Sequence, residues 1–349
     1  MIQENDSMAY KTFDEIIARL GNSPRRARLA VAAAADEHTL QAVLRAKDEG
    51  LVEPVLVGDA GKIGQICRDN GRDEALLILN GSETAEPVTG SGADQLLIYH
   101  VPDIAEACAR AVALIHEGKA DFLMKGATDT RIYLKAVVDK ANGLGQGRLM
   151  SHVNLIEIPG YHKIVLLTDM AMLPYPTLEQ KAGLIRNAAE VLGKFGYAKV
   201  KVAALTCVEK VNPRMPETVE AAELAKMAEE GQLPDAAGLP QVVVAGPISY
   251  DCAMSLEVAE TKGYDHEVAG DTDILLCPDI HAANILGKCL QHTCGAKEAG
   301  FIYGTKCPVI LTSRGASADE KYYSIVMAAL AAFEAGASEA LPKHRTNVP

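Results

Sequence analysis

Pro308-Val-Ile-Leu-Thr-Ser-Arg-Gly-Ala-Ser-Ala-Asp-Glu-Lys321 runs from an apolar, β-branched stretch through a polar turn into a helical pattern. This is one strand–loop–helix unit. Similar alternation of short Val, Ile and Leu runs with Ala- and Glu-rich amphipathic segments fills most of the chain, the pattern of βα units around a mostly parallel sheet. The fold class is therefore α/β. Strands are predicted at Arg28–Ala33, Val52–Val57, Leu76–Leu79, Gln95–His100, Phe122–Met124, Asn154–Ile158, Lys163–Leu167, Lys201–Leu205, Gln241–Ala245, Ile274–Cys277, Gly300–Tyr303 and Pro308–Leu311. Helices are predicted at Glu37–Glu49, Ile104–Glu117, Thr177–Phe195, Glu217–Glu230, Ser255–Lys262, Ala282–Thr293 and Ala318–Glu334, from apolar positions at helical spacing. Pro216 suits a first turn, and the Thr177 hydroxyl suits a helix entrance.

The length of 349 residues corresponds to about two domains. Three glycines in Gly143-Leu-Gly-Gln-Gly147 make a poor helix or strand and mark the best internal break. The expected division is 1–147 with 304–349 as one α/β domain and 148–303 as a second. Apolar residues make up 48%, yet with 5 Phe, 11 Tyr and no Trp the core must be built from Ala, Val, Leu and Ile. A net charge of −12 argues against a chain that grips a nucleic-acid backbone, so any polyanionic ligand must meet a local basic site.

The eight cysteines are scattered, mostly in apolar stretches without a C-x-x-C pair, and read as reduced core thiols of a cytoplasmic protein. Met1–Met8 has neither a basic nor an apolar signal-peptide region, and Met8 is an alternative start. No apolar run approaches the roughly 18 residues of a membrane span.

Ligands of open α/β sheets bind outside the carboxyl ends of strands. At the end of the 308–311 strand stand Ser313, Arg314, Gly315 and Asp319, a set suited to an anionic substrate. Arg314 can bind phosphate through two parallel bonds, Ser313 can donate to an oxyanion, and the helix N-terminus adds positive potential. Asp319 serves as a base only if burial offsets the acidifying effect of Arg314. The plainer alternative is that Ser317 and Asp319 cap the helix and Arg314 is solvated.

A second strand end, Phe122-Leu-Met-Lys-Gly-Ala-Thr-Asp-Thr-Arg131, offers Gly126 for close backbone approach and Lys125, Thr128 and Thr130 for phosphate oxygens. It has no Walker spacing, and the chain has no G-x-G-x-x-G fingerprint, so a Rossmann-bound dinucleotide is not supported. Val244–Ala253 and Leu275–Lys288 each join a strand to a helix through Gly or Pro with an Asp nearby, which is also ordinary βα loop chemistry. His281, His292, Cys289 and Cys294 do not converge on one point of a helix. No metal site is expected there, and the thiols are expected to be buried beside a surface histidine.

The ordered series Lys125-Gly-Ala127, Leu167-Thr-Asp169-Met-Ala171, Gly246-Pro247-x-x-x-Asp251-x-Ala253, Pro278-Asp279-x-x-Ala-x-Asn284-Ile-x-Gly-Lys288 and Thr312-Ser-Arg-Gly315 resembles the phosphate acetyltransferases and phosphate butyryltransferases. The resemblance spans most of the chain. Lys125-Gly126 and Val208–Thr218 look closer to the butyryltransferase branch. It implies two α/β domains, one inserted into the other, with the active site in a cleft between them, and a homodimer or higher homo-oligomer. It also implies transfer of a short acyl group between coenzyme A and inorganic phosphate, with coenzyme A or acyl-CoA and phosphate or acyl phosphate as partners. No tightly bound cofactor, metal, nucleic acid or membrane is implied.

Carried onto these positions, Ser313 stabilises the oxyanion, Arg314 binds phosphate and Asp319 takes the thiol proton. Glu320 is the alternative base, because the family carboxylate stands six or seven positions after the serine. Lys135, rather than Arg131, matches a second basic residue on the following helix. Lys125, Gly126, Thr128, Thr130, Asp169, Gly246, Pro247, Asp251, Pro278, Asp279 and Asn284 complete the expected substrate-binding set. Competing readings are a phosphate acyltransferase that uses acyl carrier protein, a metal-dependent decarboxylating dehydrogenase of the same broad fold, and a non-enzymatic acyl-CoA binder.

Overall fold

The computed structural model describes residues 9–72, 75–80, 95–233, 239–313 and 315–333. In chain order they form α1 (Phe13–Gly21), β1 (Ala27–Ala32), α2 (Glu37–Asp48), β2 (Val52–Gly58), α3 (Ala60–Asp69), β3 (Ala75–Asn80), β4 (Gln95–His100), α4 (Ile104–His116), β5 (Phe122–Lys125) and α5 (Thr130–Val137). There follow β6 (Ser151–Glu157), β7 (Val165–Thr168), α6 (Leu178–Lys194), β8 (Lys199–Thr206), α7 (Pro216–Glu229), β9 (Gln241–Ser249), α8 (Tyr250–Met254), α9 (Leu256–Lys262), β10 (Ile274–Leu276) and α10 (Ile280–Cys294). The chain closes with β11 (Lys297–Tyr303), β12 (Val309–Ile310) and α11 (Ala318–Ala332).

Every predicted strand forms. Helices α1, α3, α5 and α8, of 9, 10, 8 and 5 residues, lie outside the segments predicted from periodicity, because so short a pattern carries little of it; α5 was expected only through the family resemblance. Thr177 caps α6 in a capping box with Gln180, and Pro216 opens α7.

The contacts divide the chain into a middle unit, Leu149–Glu298 with the described residues through Glu15, and an outer unit, Ile16–Arg148 with the residues from Ala299 onward. Expectation had kept the N-terminal segment with the outer part. The segment joins the middle unit because Tyr10 and Phe13 are buried there: the Tyr10 carbonyl accepts from the Ile164 amide at 2.8 Å, and the Phe13 amide donates to Glu157 Oε2 at 2.6 Å.

In the outer unit the strand order is β3-β4-β2-β1-β5-β12-β11, with only the β11–β12 pair antiparallel. Successive units run outward from β1 through β2 on one side and return to its other side at β5, which makes β1 and β5 the point where the strand order reverses. Helix α11 buries Tyr322, Ile325, Val326 and Leu330 against β1, β5, β12 and α2. Its apolar residues leave no solvent stripe, as a helix enclosed by its neighbours requires.

In the middle unit the order is β6-β7-β10-β8-β9, with β6 antiparallel to β7 and the rest parallel. Ile156, Leu167, Ala203, Ile248 and Leu275 lie in its core. At the amino ends of its parallel strands Lys163 Nζ lies 2.7 Å from Asp271 and 2.6 Å from Asp273, and Lys201 Nζ reaches the other oxygen of Asp271 at 2.6 Å. Burial opposes charge on Asp271, but the bonds from Lys163, Lys201 and His162 outweigh it and hold its carboxyl well below the ordinary range.

Cys67, Cys108, Cys252, Cys277 and Cys307 are buried, with burial pushing the Cys277 and Cys307 thiols up to about 12. Cys207, Cys289 and Cys294 are exposed, which corrects the expectation of buried thiols at the last two. Both lie on the outward side of α10, where an apolar sulfur mimics a core position in sequence. No helix among the described residues is long and apolar enough to cross a membrane.

Candidate active site

The carboxyl ends of β1, β5 and β12 are brought side by side by pairing. Ala32 stands opposite Lys125, and Met124 stands opposite Ile310. The approach at the first pair is close enough to require glycine. A Cβ on Gly126 would fall 2.3 Å from the Ala33 carbonyl oxygen and 2.8 Å from that of Ala32. Two backbone bonds, Gly126 N to Ala32 O at 2.9 Å and Ala127 N to Ala33 O at 2.7 Å, hold the strands there. Gly126→Ala must break both, and overpacking of this kind costs about 1–3 kcal/mol or more. The expected result is a lowered urea midpoint together with lost activity.

Lys125 is buried, and its Nζ donates to the Thr128 carbonyl at 3.2 Å. Thr128 is buried as well, whereas Thr130, Arg131 and Lys135 lie exposed along α5, whose entrance Asp129 caps by accepting from the Arg131 amide at 2.8 Å. Tyr133, on the buried side of α5, donates its hydroxyl to Ile310 O at 3.3 Å and ties that helix to the end of β12. Sequence reading passed over Tyr133, although a lone aromatic between two charged turns was the available signal.

Beyond β12, Thr312 is buried and Ser313 is exposed, and Ser313 Oγ accepts from the Gly315 amide at 3.4 Å. Arg314 lies outside the described residues. Ser317 caps α11 and accepts from the Glu320 amide at 3.1 Å. Asp319 turns to α2: its side chain is 73% exposed and its Oδ1 accepts from Arg45 at 3.0 Å, while that guanidinium sits 3.7 Å over the Tyr322 ring. Glu320, about 100° further round the helix, is half-buried.

Lys321, also missed by sequence reading, is buried at the same place. Its Nζ donates to Thr312 Oγ1 at 3.3 Å and lies 4.0 Å from Asp36 Oδ1. Asp36 caps α2 by accepting from the Thr39 amide at 2.8 Å. Ala33, three residues earlier, holds the only positive φ of any non-glycine residue among those described, +52°, a conformation that concentrates at functional sites.

The remaining expected residues belong to the middle unit, where most have visible structural tasks. Asp169 is buried, accepting from the amides of His152, Ala171 and Met172 at 3.1, 2.8 and 2.9 Å; burial raises its carboxyl despite these bonds. Asp279 caps α10 by accepting from the Ala282 amide at 2.9 Å, and Asn284 donates to the Met170 carbonyl at 3.2 Å. Pro278 follows β10 and lines a small void with Lys181, Glu220 and Leu224.

Gly246 and Pro247 were expected in a loop, but β9 continues through them to Ser249. A Cβ on Gly246 would fall 2.4 Å from the Ala221 carbonyl, so this glycine admits helix α7. Asp251 accepts from Lys262 Nζ at 3.1 Å and, with Glu209, from the Ser249 hydroxyl. Those bonds from Ser249 and Lys262 lower the Asp251 carboxyl to about 2. Glu209, Asp251 and Cys252 cluster, but Lys262 supplies their cation.

A family model described as "Phosphate acetyl/butaryl transferase" matches residues 12–329. The chain is 38% identical over 322 residues to a phosphate butyryltransferase of Clostridium acetobutylicum, covering 92% of this chain and 98% of that protein. It is 39% identical over 303 residues to a phosphate acetyltransferase of Thermotoga maritima, covering 87% and 94%. The crystal structure of a branched-chain phosphotransacylase from Enterococcus faecalis aligns with a TM-score of 0.70 at 30% identity, over 88% of this chain and 99% of that one. The match runs almost end to end and includes every strand that carries the Ser313 turn, so the chain belongs to the phosphate acetyl/butyryl transferase family and is an acyltransferase exchanging acyl groups between coenzyme A and phosphate.

Proposed function

We propose that the protein is a phosphate butyryltransferase, interconverting butyryl-CoA and phosphate with butyryl phosphate and coenzyme A. Support for the four-carbon acyl group comes from Lys125-Gly126 and the Val208–Thr218 segment. The observation that carries the chemistry is the exposed Ser313 turn at the adjoining ends of β1, β5 and β12.

In the direction of thioester synthesis, Glu320 accepts the coenzyme A thiol proton. Asp319, already committed to Arg45 and solvent, is the weaker choice. The thiolate forms a bond to the acyl phosphate carbonyl carbon, the Ser313 hydroxyl and neighbouring amides stabilise the oxyanion, and the carbon–oxygen bond to phosphate breaks. Arg314 binds the departing phosphate, with Thr130 and Lys135 on α5 as further contacts. A thiol of ordinary pKa about 8.5 is mostly protonated at neutral pH, which is why a base is needed. Lys125, Gly126 and Thr128 shape the floor of the site. Asp169, Gly246, Pro247, Pro278, Asp279 and Asn284 act by holding the middle-unit loops, and Asp251 by its network with Lys262. The proposal includes a cytoplasmic homodimer without a tightly bound cofactor.

The test is coenzyme-A-dependent phosphate release from acetyl, propionyl and butyryl phosphate, comparing kcat/KM. Butyryl phosphate ranks first if the proposal holds, and acetyl phosphate first would reassign the branch. Arg314→Ala is expected to lower turnover by about 10²–10³-fold, the scale of losing one charge-stabilising donor, with its thermal unfolding midpoint unchanged.

A further inference from the structure

Lys321 stands where neither helix nor core favours it. It occupies the first turn of α11, whose positive dipole end disfavours cations. It is 4% exposed, yet among the described residues its ammonium meets one neutral hydroxyl, Thr312 Oγ1 at 3.3 Å, and one carboxylate at the distant 4.0 Å. That carboxylate, Asp36, already accepts both the amide and the hydroxyl of Thr39. A buried ammonium with three donors and so few partners opposes stability. Burial accordingly pushes its amine pKa down, against the pull of Asp36 and Glu320. A local cost of this kind is kept where function requires it.

The two groups it does meet define that use. Thr312 immediately precedes Ser313 at the end of β12, and Asp36 follows the left-handed Ala33 at the end of β1. We propose that Lys321 is a positioning residue for acyl transfer: held between Thr312 and Asp36, it fixes the end of β12 so that Ser313 is presented in one orientation. This inference rests on the acyl-transfer reading of the same site. Lys321 touches no reacting atom in it.

The experiment compares the wild type with Lys321→Met, Thr312→Val, Thr312→Ser and the Lys321→Met/Thr312→Val double variant, measuring butyryl-phosphate-dependent phosphate release and thermal unfolding. Lys321→Met is expected to lower kcat by about 10- to 100-fold, as a misplaced group does, with KM for coenzyme A and for butyryl phosphate unchanged. Its unfolding midpoint should equal or exceed that of the wild type, since an apolar side chain replaces a poorly paired charge. Thr312→Val should reproduce the loss, Thr312→Ser should restore kcat, and the double variant should lose no more than Lys321→Met alone.

A folded Lys321→Met with wild-type kcat overturns the inference. So does a raised KM for butyryl phosphate at unchanged kcat, which would mark direct substrate contact, and so do losses that multiply in the double variant. Should Lys321→Met not fold, wild-type kcat in Thr312→Val overturns it and a kcat loss there supports it. A wild type inactive with acetyl, propionyl and butyryl phosphate alike refutes the acyl-transfer reading instead, before any variant is compared.

Discussion

Glu320→Gln is expected to lose about 10²–10⁴-fold in kcat for thioester synthesis, the usual contribution of a positioned general base, while Asp319→Asn stays within a few-fold of the wild type. The two carboxylates are adjacent in sequence but about 100° apart on α11. Asp319 is spent at the surface, where Arg45 of α2 holds it at 3.0 Å, whereas Glu320 is half-buried in the turn that Ser317 caps. Pre-steady-state and steady-state assays across pH separate the two roles. The Glu320→Gln defect should shrink as pH rises toward the thiol pKa of about 8.5, because coenzyme A then ionises without help. Equal activity of both variants would remove this turn as the source of the base.

Lys163→Met carries the largest expected effect on stability. Lys163 and Asp273 are buried, with 6% and 5% of their side chains exposed, and their ion pair is 2.6 Å long. Removing the cation leaves Asp273 uncompensated and takes from Asp271 one of the two lysines that depress its titration. Loss of one partner from such a pair costs about 3–5 kcal/mol, read as a lowered guanidinium midpoint at pH 7.

The sign with pH follows from Asp271. Its folded pKa lies below the unfolded value near 3.9, so its stabilisation is complete above that value and is lost as pH falls through the folded pKa. Burial raises the Asp273 carboxyl, and losing Lys163 raises it further, so the gap between wild type and Lys163→Met should be widest near neutrality and begin to narrow above the ordinary carboxylate range as the pH falls. A gap that stays constant as the pH is lowered would mean that Lys163 stabilises the unit by packing alone.

Much of the architecture was legible because it rests on local rules. Val, Ile and Leu runs become strands wherever a parallel sheet buries both faces, and the Ser317 and Thr177 entrances cap helices by the same short-range geometry in any fold. The residues around Ser313 were legible for a related reason, since a βα turn is contiguous in sequence. What escaped was short or long-range. Helix α1 was too brief for periodicity to show, and strand β9 continues through a Gly-Pro that reads as a loop.

The sequence by itself determined the α/β class, the strand set and the reaction family, through hydrophobic periodicity and an ordered series of βα turns. Only the tertiary structure decided how those turns are used. It set Ala33, Gly126 and Thr312 at adjoining strand ends, turned Asp319 to Arg45, and buried Lys321 between Thr312 and Asp36. Those partners lie between 9 and 285 positions away along the chain. Close backbone approach and charge pairing depend on distance in space, which parallel strand pairing creates and residue order alone does not contain.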